Sequence, residues 1–352
     1  MKRRSIIRPF VARVTRRQLL RASLGGGTAG LAGLVAYRAV GSQSATSFST
    51  QDNAAESRKP YVVSHDLNCT VGAYNTSVFD PMSYLREFDY GTMTATDDGR
   101  SIREYRIFAA DREIEIAPGV RFPAWTYNGR VPGPTLRARE GDHLRIRFQN
   151  ASPHPHTIHF HGFHRADMDG VFEIVETGQT FVYEFDADPF GLHLYHCHVM
   201  PVKRHIHKGL YGVFIVDPAS QRPPADELVM VMNAFDTDGD EKNEFYAINT
   251  EAFYYFRNPI RVRVGELVRI YLVNITEFDL VNSFHSHANF FDFYMTGTRL
   301  EPDGTTDTIV LGQGERAILE LRYRWPGKYL FHAHVSEFAE LGWIGIFEAV
   351  EG

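Results

Sequence analysis

Cysteine is nearly absent from this chain: its 352 residues hold only Cys69 and Cys197. Two thiols exclude a disulfide-stapled scaffold, so the fold must rest on apolar burial. At 43% hydrophobic and 13% aromatic, there is enough of it for one large or two ordinary domains. Methionine-rich segments are missing too, the 8 Met being scattered. Helical signatures are scarce. Short β-branched and aromatic runs take their place, separated by Asn, Asp, 29 Gly and 17 Pro, and they predict an all-β protein.

Acidic residues are missing from one place. Residues 1–45 carry nine basic side chains (Lys2, Arg3, Arg4, Arg8, Arg13, Arg16, Arg17, Arg21 and Arg38) and no acid. A twin arginine in "TRRQLLR" precedes the weakly apolar stretch Ala22–Tyr37. That order predicts a Tat-type export signal over residues 1–45, read by the Tat export machinery. The expected location is periplasmic or extracellular, with a membrane tether if the signal is kept. The stretch is short and glycine-rich for a spanning helix, which needs about 20 apolar residues. Beyond residue 45, 28 basic residues face 43 acids, a net charge of −15 that argues against a nucleic-acid surface.

The rest of the chain is written twice. "REGDHLRIRFQNAS" (139–152) aligns with "RVGELVRIYLVNIT" (263–276), and "HTIHFHG" (156–162) with "FHSHANF" (284–290). "GQTFVYEFDADPFGLHLYHCHV" (178–199) answers "GQGERAILELRYRWPGKYLFHAHV" (312–335), and "GLYGVFIVD" (209–217) answers "LGWIGIFEAV" (341–350). Four paired blocks in one order mean two copies of one β domain. The Pro-rich "DPASQRPPADE" (217–227) reads as the linker. The expected division is an N-terminal arm over 46–100 packed on domain one, domain one over 101–218 and domain two over 219–352.

Histidine is in excess. Sixteen His in a chain of this length predict roughly 0.7 His-x-His pairs by chance, yet there are six: 154/156, 159/161, 196/198, 205/207, 285/287 and 332/334. On a strand, residues i and i+2 share a face. Four pairs hold equivalent places in the two repeats, so His159, His161, His196 and His198 with His285, His287, His332 and His334 can converge where two domains meet. Imidazole suits copper, zinc, iron and nickel. In "HCH" the histidines point one way and Cys197 the other, toward a second metal site. Trigonal His₂Cys with a weak axial position is a blue-copper set. His156 and His205 are the candidate partners, and Leu210 stands where an axial methionine often sits. Cys69 receives no role. "DTDGDE" (236–241) reads as turn chemistry, lacking the final glutamate of a calcium loop.

These motifs resemble the four copper motifs of multicopper oxidases, over roughly residues 100–350. The two-repeat plan with one cysteine looks like a two-domain, laccase-like oxidase with type 1 copper in domain one only. The resemblance implies two tandem cupredoxin-like Greek-key domains and four coppers per chain. His156, Cys197 and His205 would hold the type 1 ion, with Leu210 axial and non-coordinating. His159 and His285 would hold the type 2 ion. His161, His196, His198, His287, His332 and His334 would hold the type 3 pair. The "HxxxGL" spacing favours His205 over His207, although the gap after Cys197 is longer than in three-domain laccases. Asp169, Glu337 and Glu340 are the candidate proton-relay acids. The implied reaction takes single electrons from a small reductant (a phenol, an aromatic amine or a metal ion) and reduces O₂ to water. The implied assembly is a homotrimer with clusters at subunit interfaces. Two rival readings are a copper nitrite reductase, whose catalytic copper needs only three histidines, and a non-catalytic electron carrier, which needs only the cysteine site.

Overall fold

The computed structural model describes residues 79–95 and 101–352. The Tat-type segment, Cys69 and most of the arm lie outside the described residues. The described chain is all-β, with twenty strands and only short helices. Each half forms two sheets packed face to face, and the two halves repeat one pairing plan.

In the first half, Ser101–Ala117 runs parallel to His143–Asn150, which pairs antiparallel with Thr180–Asp186. In the second half, Asp226–Phe235 runs parallel to Val268–Asn274, which pairs antiparallel with Arg316–Leu321. The companion sheets match as well. Leu136–Arg139 lies parallel to Tyr211–Asp217 and Ile260–Arg263 parallel to Ile344–Val350. Gly191–His196 then pairs with Tyr211–Asp217, and Gly327–His332 with Ile344–Val350. The duplicated sequence blocks thus fold as duplicated sandwiches, the cupredoxin-like architecture that the motifs imply.

Strand alternation decides what each "HxH" strand buries. Along Gly191–His196 every residue is buried. Tyr195 and Cys197 face the first-half core, with Phe148, Phe160 and Phe214. Leu192 and Leu194 face the other way and join Val229, Val231, Tyr271 and Ile318 in a core shared between the halves. In Gly327–His332, Phe331 and Ala333 are buried in the second-half core, but Lys328 is exposed and Leu330 half-buried. That outer face is covered in the first copy and open in the second.

A buried ion network also joins the halves. The Arg137 guanidinium reaches Asp217 at 2.8 Å and Glu227 at 2.6 Å, and Glu227 also accepts from Arg269 at 3.1 Å. Burial pushes the Glu227 carboxyl up, but the hydrogen bond and charge of Arg137 outweigh it and hold it below its ordinary value. Removing one partner of such a network costs about 3–5 kcal/mol, because the remaining charge is left buried and unpaired.

The N-terminal arm departs from expectation. Thr92–Ala95 does pair with the first-half strand Ser101–Ala117. Residues 80–86, however, fasten onto the second half: Leu85 lies in its core, the Tyr255 hydroxyl donates to the Pro81 carbonyl, and Arg86 pairs with Asp226. The arm straps both copies together.

Candidate metal centres

Three groups of histidine or cysteine ligand atoms each gather within 4.8 Å: His156, Cys197 and His205; His159, His161 and His196; and His285, His287 and His332.

The first group is the more buried. Cys197 Sγ lies 3.1 Å from His205 Nδ1 and 3.9 Å from His156 Nδ1, and the two Nδ1 atoms are 3.2 Å apart. Burial, then the neighbouring His205 and His154, lowers the His156 pKa to about 3. Burial, with Arg204 and His154, takes His205 to about 4. Both rings are therefore neutral at neutral pH, and their Nδ1 lone pairs face a sulfur. Burial raises the thiol pKa, so a bound cation must displace its proton. One soft thiolate and two neutral imidazoles converging in a dry core suit copper. The Cys197 amide donates to the Leu210 carbonyl at 3.0 Å, and Leu210 is fully buried beside it.

A short helix, Val202–His207, sets His205 and His207 apart. Two residues on a helix turn about 200°, so the two rings point apart. His205 faces Cys197. His207 Nε2 instead accepts the Asp236 amide at 3.0 Å, packing its ring against Phe122 and Phe278. Met200, the other sulfur near this site in sequence, is 78% exposed and faces water.

The two histidine triads are copies of one another. His159 stands opposite His196 in strand register, and His285 opposite His332. His196 Nδ1 donates to the Cys197 carbonyl at 3.0 Å and His332 Nδ1 to the Ala333 carbonyl at 2.6 Å. His159 Nδ1 donates to the Asp169 carbonyl at 2.8 Å and His285 Nδ1 to the Asp307 carbonyl at 2.9 Å. A carbonyl only accepts, so each Nδ1 carries the proton and each Nε2 keeps its lone pair. Metal-ligating histidines are oriented in this way. In each half one freed atom meets a further imidazole: His196 Nε2 lies 3.3 Å from His161 Nε2, and His332 Nε2 lies 3.0 Å from His287 Nε2. Burial first, then His196 and Arg316, drives the His161 pKa down to about 2. His198 and His334 complete the pattern, their amides held by Thr157 Oγ1 and Ser283 Oγ.

The acids are distributed unevenly. The Asp169 carboxylate lies 3.1 Å from His159 Nδ1 and 3.7 Å from His164 Nε2. Gly170 makes that approach possible: it has φ +70°, and a Cβ there would sit 1.9 Å from the Ile158 carbonyl oxygen. In the second half the equivalent carboxylate is Asp307, 4.0 Å from His285 Nδ1, which sequence reasoning missed. Asp169 follows its histidine by ten residues within one loop. Asp307 comes 22 residues after His285, in a turn between two strands, so no motif marks it. Glu340 is exposed at the end of helix Ser336–Glu340, and no ion pair joins it to a histidine among the described residues; Glu337 is half-buried in the same helix. In the "DTDGDE" loop, Asp236 accepts the amides of Asp238, Gly239 and Glu241, as a turn requires, and the Asp236, Asp238, Asp240 and Glu244 carboxylates also gather within 4.8 Å of one another.

Known proteins similar to this chain are copper proteins. Two family models described as multicopper oxidase match residues 109–221 and 221–351. A copper-containing nitrite reductase of Neisseria meningitidis serogroup A is 31% identical over 245 residues, covering 64% of this chain and 63% of the relative. The chain therefore spans less than two thirds of that relative's length. Among solved structures, one described as a multicopper oxidase is 58% identical at a TM-score of 0.75, covering 77% of this chain and 97% of that one. A copper nitrite reductase from Nitrosomonas europaea is 28% identical at a TM-score of 0.65, covering 71% and 94%. With two matching models that span most of its length, and ligand sets repeated in both halves, this chain belongs to the multicopper oxidase family.

Proposed function

We propose that the chain is a laccase-like oxidase that takes single electrons at the Cys197 centre and reduces O₂ to water at a cluster built from both histidine triads. The observation that supports this reading is the doubling of every pair. Both halves present two HxH pairs, eight imidazoles in all, and in each half two of the four rings have Nδ1 anchored on a backbone carbonyl with Nε2 left free. A nitrite reductase site asks for three. Copper, when bound, supplies one-electron storage, and four ions match the four electrons that O₂ requires. His156, Cys197 and His205 hold the accepting site. Cys197 is bonded through the backbone to His196 and His198, so an electron has a covalent path to the other face of the strand. Asp169 orients His159 and can hold a proton beside it.

The nitrite reductase reading deserves a direct test, because relatives of both kinds are similar to this chain. Copper per chain should be close to four under our reading and two under the rival. Oxygen uptake with a phenol donor should exceed nitrite reduction. A count of two with nitrite turnover would overturn the oxidase reading.

One chain does not unite the two triads. Among the described residues, ring contacts join histidines within each half and none joins a histidine of one half to a histidine of the other. His287 and His334 are exposed. Exposed Val281 and Val310 lie on the strands that flank His285, and Phe290 lies three residues past His287. Exposed Phe163, Phe172 and Ile174 lie on the loops after the domain-one pair. The occupant that satisfies both triads is a second copy of this chain, first-half triad to second-half triad. In closed form the assembly is a homotrimer, each chain using one face of each kind. The basic segment 1–45 serves as a Tat signal that delivers the protein to the periplasm or beyond.

Leu210→Met is expected to lower the potential of the Cys197 centre, since an added weak axial donor favours the oxidised ion. A redox titration of the blue band checks this, and an unchanged or raised potential would show that residue 210 is not axial.

A further inference from the structure

The Cys197 site has no ligand edge in solvent. His156, Cys197 and Leu210 are 0% exposed and His205 is 4% exposed. A donor therefore cannot touch a ligand, and two rings cover the site: Trp125, itself only 6% exposed, and the more exposed His154. The Trp125 indole packs on both ligand rings, its centroid 5.4 Å from His156 and 4.9 Å from His205. The His154 ring lies 4.6 Å from the indole and 6.4 Å from the His156 ring, and the Arg204 guanidinium carbon stands 5.1 Å from the indole centroid. The His154 side chain is 42% exposed and Arg204 is also exposed. The Trp125 main chain is fixed beside the helix that carries His205: its amide donates to the Lys208 carbonyl at 2.9 Å.

Charge around this spot runs against the rest of the molecule. The chain as a whole is at −6. Here Arg204 has no carboxylate partner among the described residues, and the Lys208 ammonium donates to the Pro123 carbonyl instead of an acid. Lys203 is paired with Glu241. The nearby carboxylate, Asp111, accepts from the Ser152 hydroxyl at 2.6 Å and lies 3.8 Å from His154. Arg204 thus stands over the indole with no carboxylate partner among the described residues, and the Lys208 ammonium lies over the Phe122 ring, while the nearby Asp111 carboxylate is engaged. A local reversal of sign raises the concentration and on-rate of anions at that point.

We infer that Trp125 is the bridge through which electrons reach the Cys197 centre, and that an anionic one-electron donor seats on the Arg204–His154 surface above it. The inference rests on the proposed function only in taking Cys197 as the electron-accepting site. The donor gives up one electron to the centre, and the indole keeps its own. No proton or atom is transferred in this step.

The anion seat can be tested without copper. In metal-free protein, the redox-inert paramagnetic anion hexacyanochromate(III) should broaden the His154 ring resonances at low ionic strength, and Arg204→Glu should abolish the broadening. Unbroadened His154 signals in the wild-type protein would overturn the seat even if the oxidase reading stands. The bridge is tested on copper-loaded protein by anaerobic stopped-flow, following bleaching of the blue band. Arg204→Glu should slow reduction by ferrocyanide about tenfold at low salt and speed reduction by hexaammineruthenium(II), with both effects shrinking as salt rises. Trp125→Leu should slow both donors, while Trp125→Phe, which keeps a ring on the ligands, should retain most of the rate. A Trp125→Leu protein that bleaches as fast as wild type or faster, with its blue band and potential intact, would make the indole a mere cover. Absence of any blue band in the wild-type protein would instead count against the proposed function.

Discussion

Chains carrying His161→Ala and chains carrying His334→Ala should each be inactive, yet co-expressed they should recover about a quarter of wild-type activity. The first variant damages the domain-one triad, where His161 Nε2 meets His196 Nε2. The second damages domain two, where His334 packs on His285. If each cluster forms between domain one of one chain and domain two of its neighbour, a mixed ring contains one junction with both sides intact. That junction joins domain one of the His334→Ala chain to domain two of the His161→Ala chain. The former also keeps its own Cys197 centre, so electrons can still arrive. Equal expression and random mixing give the stated fraction. Clusters closed within one chain would leave a lesion in every site. Mixed trimers, verified by two affinity tags and native mass spectrometry, that showed zero activity would sink the shared-site arrangement.

Cys197→Ser should remove the blue band and one copper per chain, and turnover with it, while the remaining coppers stay bound. The residue is fully buried among Tyr195, Phe148 and Leu210, and a hydroxyl is smaller than a thiol, so the cost in stability should be about 1 kcal/mol. The loss is electronic: serine cannot supply the thiolate from which charge transfer and the electron path begin. The anchors of the cluster histidines are backbone carbonyls and do not involve the sulfur. Metal analysis with visible and electron paramagnetic spectra reads both parts of the claim. A variant that keeps its blue absorption would remove Cys197 from the site.

The duplicated β architecture and the side chains that gather in each half were legible from the chain because strand periodicity is simple. A residue and its second neighbour share a face, so "HCH" must send Cys197 into the core with Tyr195 and His196 to the opposite side. The second copy, "HAH", repeats the histidines on a strand whose inward position, Ala333, is packed with Phe331 and Trp343 and has no ligand to offer. The repeat blocks likewise predicted two copies of one β domain, and the two halves share their strand pairings.

What lay outside that periodicity needed the tertiary structure. "HIH" reads like a strand pair, yet helix Val202–His207 turns His205 toward Cys197 and His207 toward the Asp236 amide. Asp307 pairs with His285 only because a turn between two strands returns it there. Residues 80–86 bind the second half through contacts such as Tyr255 to Pro81, separated by 174 positions. Trp125 covers the Cys197 site from a strand 72 residues earlier in the chain, and no local pattern distinguishes that indole from any other core aromatic. That the two triads stay apart within one chain is also a tertiary result. Local sequence determined which side chains share a face, because backbone geometry imposes it residue by residue. Which faces meet was decided by long-range packing, whose partners no local period records.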